Sequence, residues 1–193
     1  MIQAKRPSLS TLFKGIALCA AIAMGATYYY YYYSHAQVER EAISDYQDAR
    51  DKKDILTLFE SERYWLTATE DYDPVFALDN RAPNERDSRY YGALKIKVLR
   101  EDDKFVGFIA YYRKTLTEGF ILFVSVRPEL RGKRYAEKLM KYAENDLRSM
   151  GVSMINLVTR TTNHRAQALY NRLGFHVINV DQEGGFVYFM KVV

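Results

Sequence analysis

Cysteine is nearly missing from this 193-residue chain: Cys19 is the only one, and it lies in an apolar stretch. That excludes a disulfide framework and a cysteine-based metal site. Histidine is almost as scarce. His35, His164 and His176 are scattered without zinc spacing, so no metal is expected. Acidic residues are absent from residues 1–36, which carry Lys5, Arg6 and Lys14. Of the net charge of +4, +3 belongs to this tail and only +1 to residues 37–193. That balance argues against a nucleic-acid partner. No Pro/Ser-rich linker and no repeat follows residue 36. Residues 37–193 therefore read as one α/β domain behind an extension of residues 1–36.

Charge is also missing from residues 15–34. A helix of that length spans roughly 30 Å, the thickness of a bilayer core. Small apolar residues fill 15–26, and six tyrosines follow at 28–33. Tyrosine favours the membrane interface, where its ring is half buried and its hydroxyl is wet. The stretch predicts an amino-terminal hydrophobic helix that holds the chain in a membrane as a single-pass anchor. A signal peptide is the competing reading. The basic start, the apolar core and Ser34-His35-Ala36 before Gln37 fit cleavage near Ala36, which would give a secreted chain. Basic residues flank the segment on both sides, which leaves its orientation open.

The rest of the chain alternates between the two hydrophobic periods. A first strand is expected over 41–47, and a helix capped by Asp51 carries Ile55, Leu56, Leu58 and Phe59. Residues 70–89 are polar, with Pro74 and Pro83, and read as a loop with a short helix. Strands follow over 94–99, 105–112 and 120–126, the first two joined by a turn at 101–103. Ala136, Leu139, Met140, Ala143, Leu147 and Met150 then recur at helical spacing, and Gly151 stands just past the helix end. A strand over 154–159, a helix over 165–173 closed by Gly174, and strands over 176–180 and 186–192 complete the pattern. Gly184 and Gly185 turn between the last two.

The connection between the third strand of the middle group and the long helix carries chemistry. A strand, a basic Gly-containing turn and a helix N-terminus make an anion site, because first-turn N–H groups lack partners and the helix dipole favours negative charge. Its spelling, V-x-P-x-x-R-G-x-x-x-A, resembles the acetyl-CoA signature of the GNAT superfamily of N-acetyltransferases. The pattern Arg/Gln-x-x-Gly-x-Gly/Ala falls on Arg131, Gly132, Lys133, Arg134, Tyr135 and Ala136. Arg134 replaces the middle glycine, a departure from the family. A second segment, at 163–175, is similar to the family's N-x-x-A-x-x-L-Y-x-x-x-G-F. The two together cover an order of elements shared with the family over residues 41–192.

The resemblance implies a mixed, mostly antiparallel sheet of about seven strands flanked by helices. It implies acetyl-CoA as cosubstrate and a primary amine of a protein or small molecule as acceptor. The strand before the turn is expected to splay from its neighbour, so that backbone groups of Val124 and Val126 meet the pantetheine arm. N–H groups of Gly132, Arg134, Tyr135 and Ala136 are expected to meet the pyrophosphate, with charge from Arg131 and Lys133. Asn163 matches a pantetheine-binding residue, and Tyr170 matches the general acid. The segment 157–163 is similar to one in the ribosomal-protein acetyltransferases, whose glutamate base is replaced here by Val158. Glu118, at the start of the preceding strand, is a fallback base, and a water chain to bulk solvent is another. A GNAT-like module that binds acyl-CoA or a peptide without turnover is the alternative.

Overall fold

The computed structural model describes residue 27 and residues 41–68, 72–79 and 93–193. Among them the order is β1 (Glu41–Asp45), α1 (Asp48–Leu66), α2 (Pro74–Asp79), β2 (Lys95–Glu101), β3 (Lys104–Arg113), β4 (Glu118–Val126), α3 (Tyr135–Ser149), β5 (Met154–Arg160), α4 (His164–Arg172), β6 (His176–Asp181) and β7 (Phe186–Val192). The seven strands form one sheet in the order β1-β2-β3-β4-β5-β7-β6. Only β4 and β5 run parallel; the other pairings with a defined register are antiparallel. Among the described residues no helix is long and apolar enough to cross a membrane. The hydrophobic helix and the signal reading of residues 15–34 lie outside the described residues, Thr27 apart.

Helices cover both faces of the sheet. Leu139, Met140, Ala143 and Leu147 of α3 pack on Val106, Ile109, Tyr111, Ile121 and Ile155. On the other face Ile55, Leu58 and Phe59 of α1 pack on Ile96, Val98, Phe108, Ala110 and Phe123. Phe59 meets Phe123 edge to face at 5.1 Å. Burial on both faces explains why β3 is an unbroken apolar run: all residues 105–112 are buried.

Two boundaries differ from the sequence-based expectation. β1 stops at Asp45, and α1 begins at Asp48 instead of after Asp51. Asp51 does not cap from outside. It is buried in the first turn, where its Oδ2 accepts from the Gln47 N–H at 2.8 Å and its carboxylate pairs with Arg100 of β2. The β2–β3 turn places Asp102 and Asp103 at φ 49° and 61°, the left-handed pair that a tight hairpin requires.

β4 carries the feature that makes the site. It pairs with β3 along its length, but with β5 only over 118–121. The β3 register slips between Ala110, opposite Phe123, and Tyr111, opposite Ile121, so Leu122 is an extra residue. Such a bulge bends the strand that holds it. Pairing with β5 ends at Ile121 and Leu157, immediately before the bulge, while β5 continues along β7 to Arg160. The two parallel strands therefore separate at Leu122.

Candidate active site

The gap between β4 and β5 opens into a cleft of about 240 Å³. Its β4 wall presents backbone as well as side chains. The Arg127 N–H donates to the Val106 carbonyl at 2.9 Å. Hydrogen-bonded pairs alternate along an antiparallel ladder. Ser125 with Phe108 and Phe123 with Ala110 therefore continue that set. The N–H and C=O groups of Val124 and Val126 consequently point away from β3, into the gap. The Val126 carbonyl is already engaged: Arg131 Nε donates to it at 3.0 Å. This wall thus offers an extended ligand a donor and an acceptor at Val124, and at Val126 a donor and a carbonyl shared with Arg131.

The cleft ends at the N-terminus of α3. Gly132 has φ 88°, and Arg134, the residue just before the helix, has φ 63° and ψ 18°. A Cβ at Gly132 would meet nothing within 4 Å, so backbone conformation rather than space calls for glycine there. Arg134 adopts the left-handed conformation that the missing glycine would take without strain. No side chain caps α3, and its first helical bond runs from the Lys138 N–H to the Arg134 carbonyl at 3.1 Å. The first turn of a helix directs its N–H groups along the axis, toward the cleft end where an anion would sit.

Nine of the ten sequence-derived site residues line this one cleft: Val124, Val126, Arg131, Gly132, Arg134, Tyr135, Ala136, Asn163 and Tyr170. Lys133 does not. It is exposed, and its ammonium stands 3.8 Å from Glu101 and over the Tyr135 ring. Arg131 also differs from a free phosphate ligand. Its Nη2 contacts Glu62 of α1 at 2.5 Å. Glu118 is removed from the chemistry: it sits at the paired end of β4, about 13 Å along the strand from Leu122. Val158 faces the cleft where the related segment has glutamate, and it brings no proton acceptor.

Tyr170 lies on α4, buried, with its ring 5.6 Å from Phe189 and 6.1 Å from Phe175. Burial pushes its phenol up to about 12, with Arg165 pulling the other way. The hydroxyl therefore keeps its proton at neutral pH and stands in the cleft wall as a protonated donor. Asn163 caps α4, accepting from the Ala166 N–H at 3.2 Å through Oδ1. The residue that caps α4 also lines the cleft.

Glu62, Thr159 and Arg165 also line the cleft and were not picked out from sequence. A signal for Glu62 existed. Ile55, Leu58, Phe59 and position 62 share one helical face, and a charge on the buried face of an amphipathic helix calls for a partner. Among the described residues no cluster of His, Cys, Asp and Glu could hold a metal.

An extended slot with open strand groups, an anion site at one end and a protonated phenol on its wall define a class. The Acetyltransferase (GNAT) family model matches residues 53–175, and the chain belongs to that family. It is 32% identical over 80 residues to a [ribosomal protein bS18]-alanine N-acetyltransferase of Haemophilus ducreyi, covering 42% of this chain and 54% of that one. The chain spans about half the length of the first curated relatives it matches. Among solved structures, Ard1 from Thermoplasma volcanium has a TM-score of 0.61 at 20% identity, covering 80% of this chain and 98% of its own. PaiA N-acetyltransferase from Thermoplasma acidophilum, in complex with coenzyme A, has a TM-score of 0.59 at 17% identity, covering 79% and 99%. Likeness at these identities concerns the fold.

Proposed function

We propose that this chain is an acetyl-CoA-dependent N-acetyltransferase that acts on a primary amine and is held at a membrane by residues 15–34. One observation carries the enzymatic reading: the unpaired half of β4 runs from the bulge at Leu122 to the N-terminus of α3, with Tyr170 on the cleft wall. Acetyl-CoA supplies a thioester whose carbonyl carbon an amine can attack. In this reading the N–H groups at the start of α3 bind its phosphates. Val124 and Val126 hold the pantetheine amides as an added strand would be held. The Asn163 amide supports the same arm. N–H groups beside the bulge polarise the carbonyl. Tyr170 gives its proton to the departing sulfur, and the proton that the attacking nitrogen sheds passes to solvent, from which the phenol is restored. The name of the Haemophilus ducreyi relative supports a protein amine as the acceptor.

Calorimetry of the full chain with acetyl-CoA tests the reading. Binding is expected, and Gly132→Val should weaken it by straining the turn and crowding the phosphates. A folded chain that binds no acetyl-CoA overturns the proposal. Binding without turnover on any peptide with a free α-amine leaves an acyl-CoA-binding module instead. The anchor has its own test. An alkaline carbonate wash should leave the protein with the membranes. Release into the soluble fraction, or a mature amino terminus at Gln37, rejects the anchor and favours a secreted chain.

A further inference from the structure

Glu62 is a carboxylate in a place where its charge should be unwelcome. It stands on the buried face of α1, its side chain only 10% exposed, in the wall of a cleft that the proposed function assigns to a polyanion. Its Oε2 contacts Arg131 Nη2 at 2.5 Å and lies 3.9 Å from Arg165 Nη2. Arg131 in turn donates through Nε to the Val126 carbonyl at 3.0 Å. One carboxylate therefore ties α1, the turn into α3, and α4, which are three walls of the same cleft.

Three roles for Glu62 make different demands. If it acted only through its field, removing it would tighten an anionic ligand, because a like charge would be gone. If it were a proton acceptor, it should be free to accept. Its Oε2 is instead engaged by Arg131 and lies beside Arg165. The third role fits the contacts. Arg131 is anchored at both ends of its planar fork, by Glu62 at Nη2 and by the Val126 carbonyl at Nε. Arg131 takes one of that carbonyl's two lone pairs and sets a guanidinium beside it, which weakens Val126 as an acceptor and leaves its N–H as the stronger offer. The choice of groups sets the register in which an extended ligand can lie along the strand.

We infer that Glu62 is a positioning residue: through Arg131 it fixes which backbone groups of β4 are presented to acetyl-CoA, so that removing its charge weakens cofactor binding. The inference rests on the proposed function. The sign separates it from a plain electrostatic role.

The test is calorimetry with acetyl-CoA on the full-length wild-type chain, Glu62→Gln, Arg131→Gln and the double variant, at constant ionic strength. Glu62→Gln should raise Kd by about tenfold and lower kcat at saturating cofactor only slightly. The double variant should bind no worse than Arg131→Gln alone, since both act through one contact. Glu62→Asp should recover part of the affinity. If Glu62→Gln does not fold, Arg131→Lys carries the test: it keeps the charge, loses the fork and should raise Kd. An unchanged or lower Kd in folded Glu62→Gln overturns the inference and leaves the enzymatic reading standing. A fall in kcat with unchanged Kd and a lost acidic limb in the pH profile overturns it in favour of a general base. A wild-type chain that binds no acetyl-CoA removes the enzymatic reading and this inference together.

Discussion

The two halves of β4 are built from similar residues and do opposite work. Over 118–121 the strand is paired on both sides, and Ile121 joins the core beneath α3. Over 122–126 it keeps β3 but has lost β5, and it lines the cleft. Polarity does not distinguish them, since each is apolar apart from one residue, Glu118 in the first and Ser125 in the second. One extra residue at the bulge does. Each half is also steadied by a partly or largely buried carboxylate. Asp146 Oδ2 takes the Lys95 ammonium and the Tyr111 hydroxyl, both at 2.8 Å, beside the paired half. Glu62 holds Arg131 beside the open half. Burying backbone in a ladder gives stability, and leaving it open gives a binding edge. The comparison predicts that damage to the paired half appears in folding and damage to the open half in affinity and rate.

The largest effect is expected on the open side. Tyr170→Phe removes a hydroxyl and keeps the ring against Phe175 and Phe189. Loss of a general acid should reduce turnover by about 10²–10⁴-fold, with acetyl-CoA affinity little changed. Steady-state kinetics paired with calorimetry checks this, and full activity would leave Tyr170 as a packing residue. Next is Gly119 in the paired half. A Cβ there would stand 2.9 Å from Leu147 Cδ1, and Leu147 is fully buried, so its side chain must shift within the core. Gly119→Val should destabilise the fold by about 1–3 kcal/mol by overpacking. Denaturant unfolding measures it, while the Kd for acetyl-CoA should hold.

A smaller effect follows from pH. Burial would raise the Asp146 carboxyl, but hydrogen bonds from Lys95 and Tyr111 outweigh it and hold the group below its usual 3.8. The unfolded chain then takes up this proton first. The contribution to stability is complete above the unfolded value and is lost as pH falls below about 4 toward the folded one. Asp146→Asn should therefore lower stability at pH 7 and flatten the acid side of the stability profile. Thermal melts from pH 7 to 3 test this. An unchanged acid limb would show that the contacts carry no linkage.

Much of this was legible in the residues. The helix periods, the alternating strands and the two segments at 131–136 and 163–175 indicate the architecture, because each lies within one element and depends on local spacing. What escaped depends on contacts between elements. The Leu122 bulge is a mismatch in count between two strands, and neither strand alone records it. The direction of Lys133 away from the cleft follows from a turn with positive φ at Gly132 and Arg134 and from Glu101 on another hairpin. Asp51 looked like a cap because its first-turn role, accepting from Gln47, uses the same chemistry from inside the helix. Glu62 was visible as a charge on a buried face, but its partner lies 69 positions away on the turn before α3.

The smallest effect separates the two currencies within a single residue. Arg134 occupies the family's glycine position with φ 63°, where a Cβ crowds the following carbonyl. The left-handed conformation costs a non-glycine residue about 1–2 kcal/mol. Glycine would remove that strain but would bring about 0.4–1 kcal/mol of extra unfolded-state entropy. Arg134→Gly should therefore stabilise the fold by about 0.5–1 kcal/mol, a rise of roughly 2–4 °C in Tm for each kcal/mol in a domain of this size. The same change takes a guanidinium from the mouth of the anion site. Exposed charge contacts are worth about 0.2–1 kcal/mol, so acetyl-CoA binding should weaken a few-fold and become less sensitive to salt. A variant that melts higher and binds more weakly would show that Arg134 exchanges backbone ease for charge. Tighter binding together with the higher Tm would show instead that the arginine obstructs the phosphates, and that the glycine of the family serves close approach.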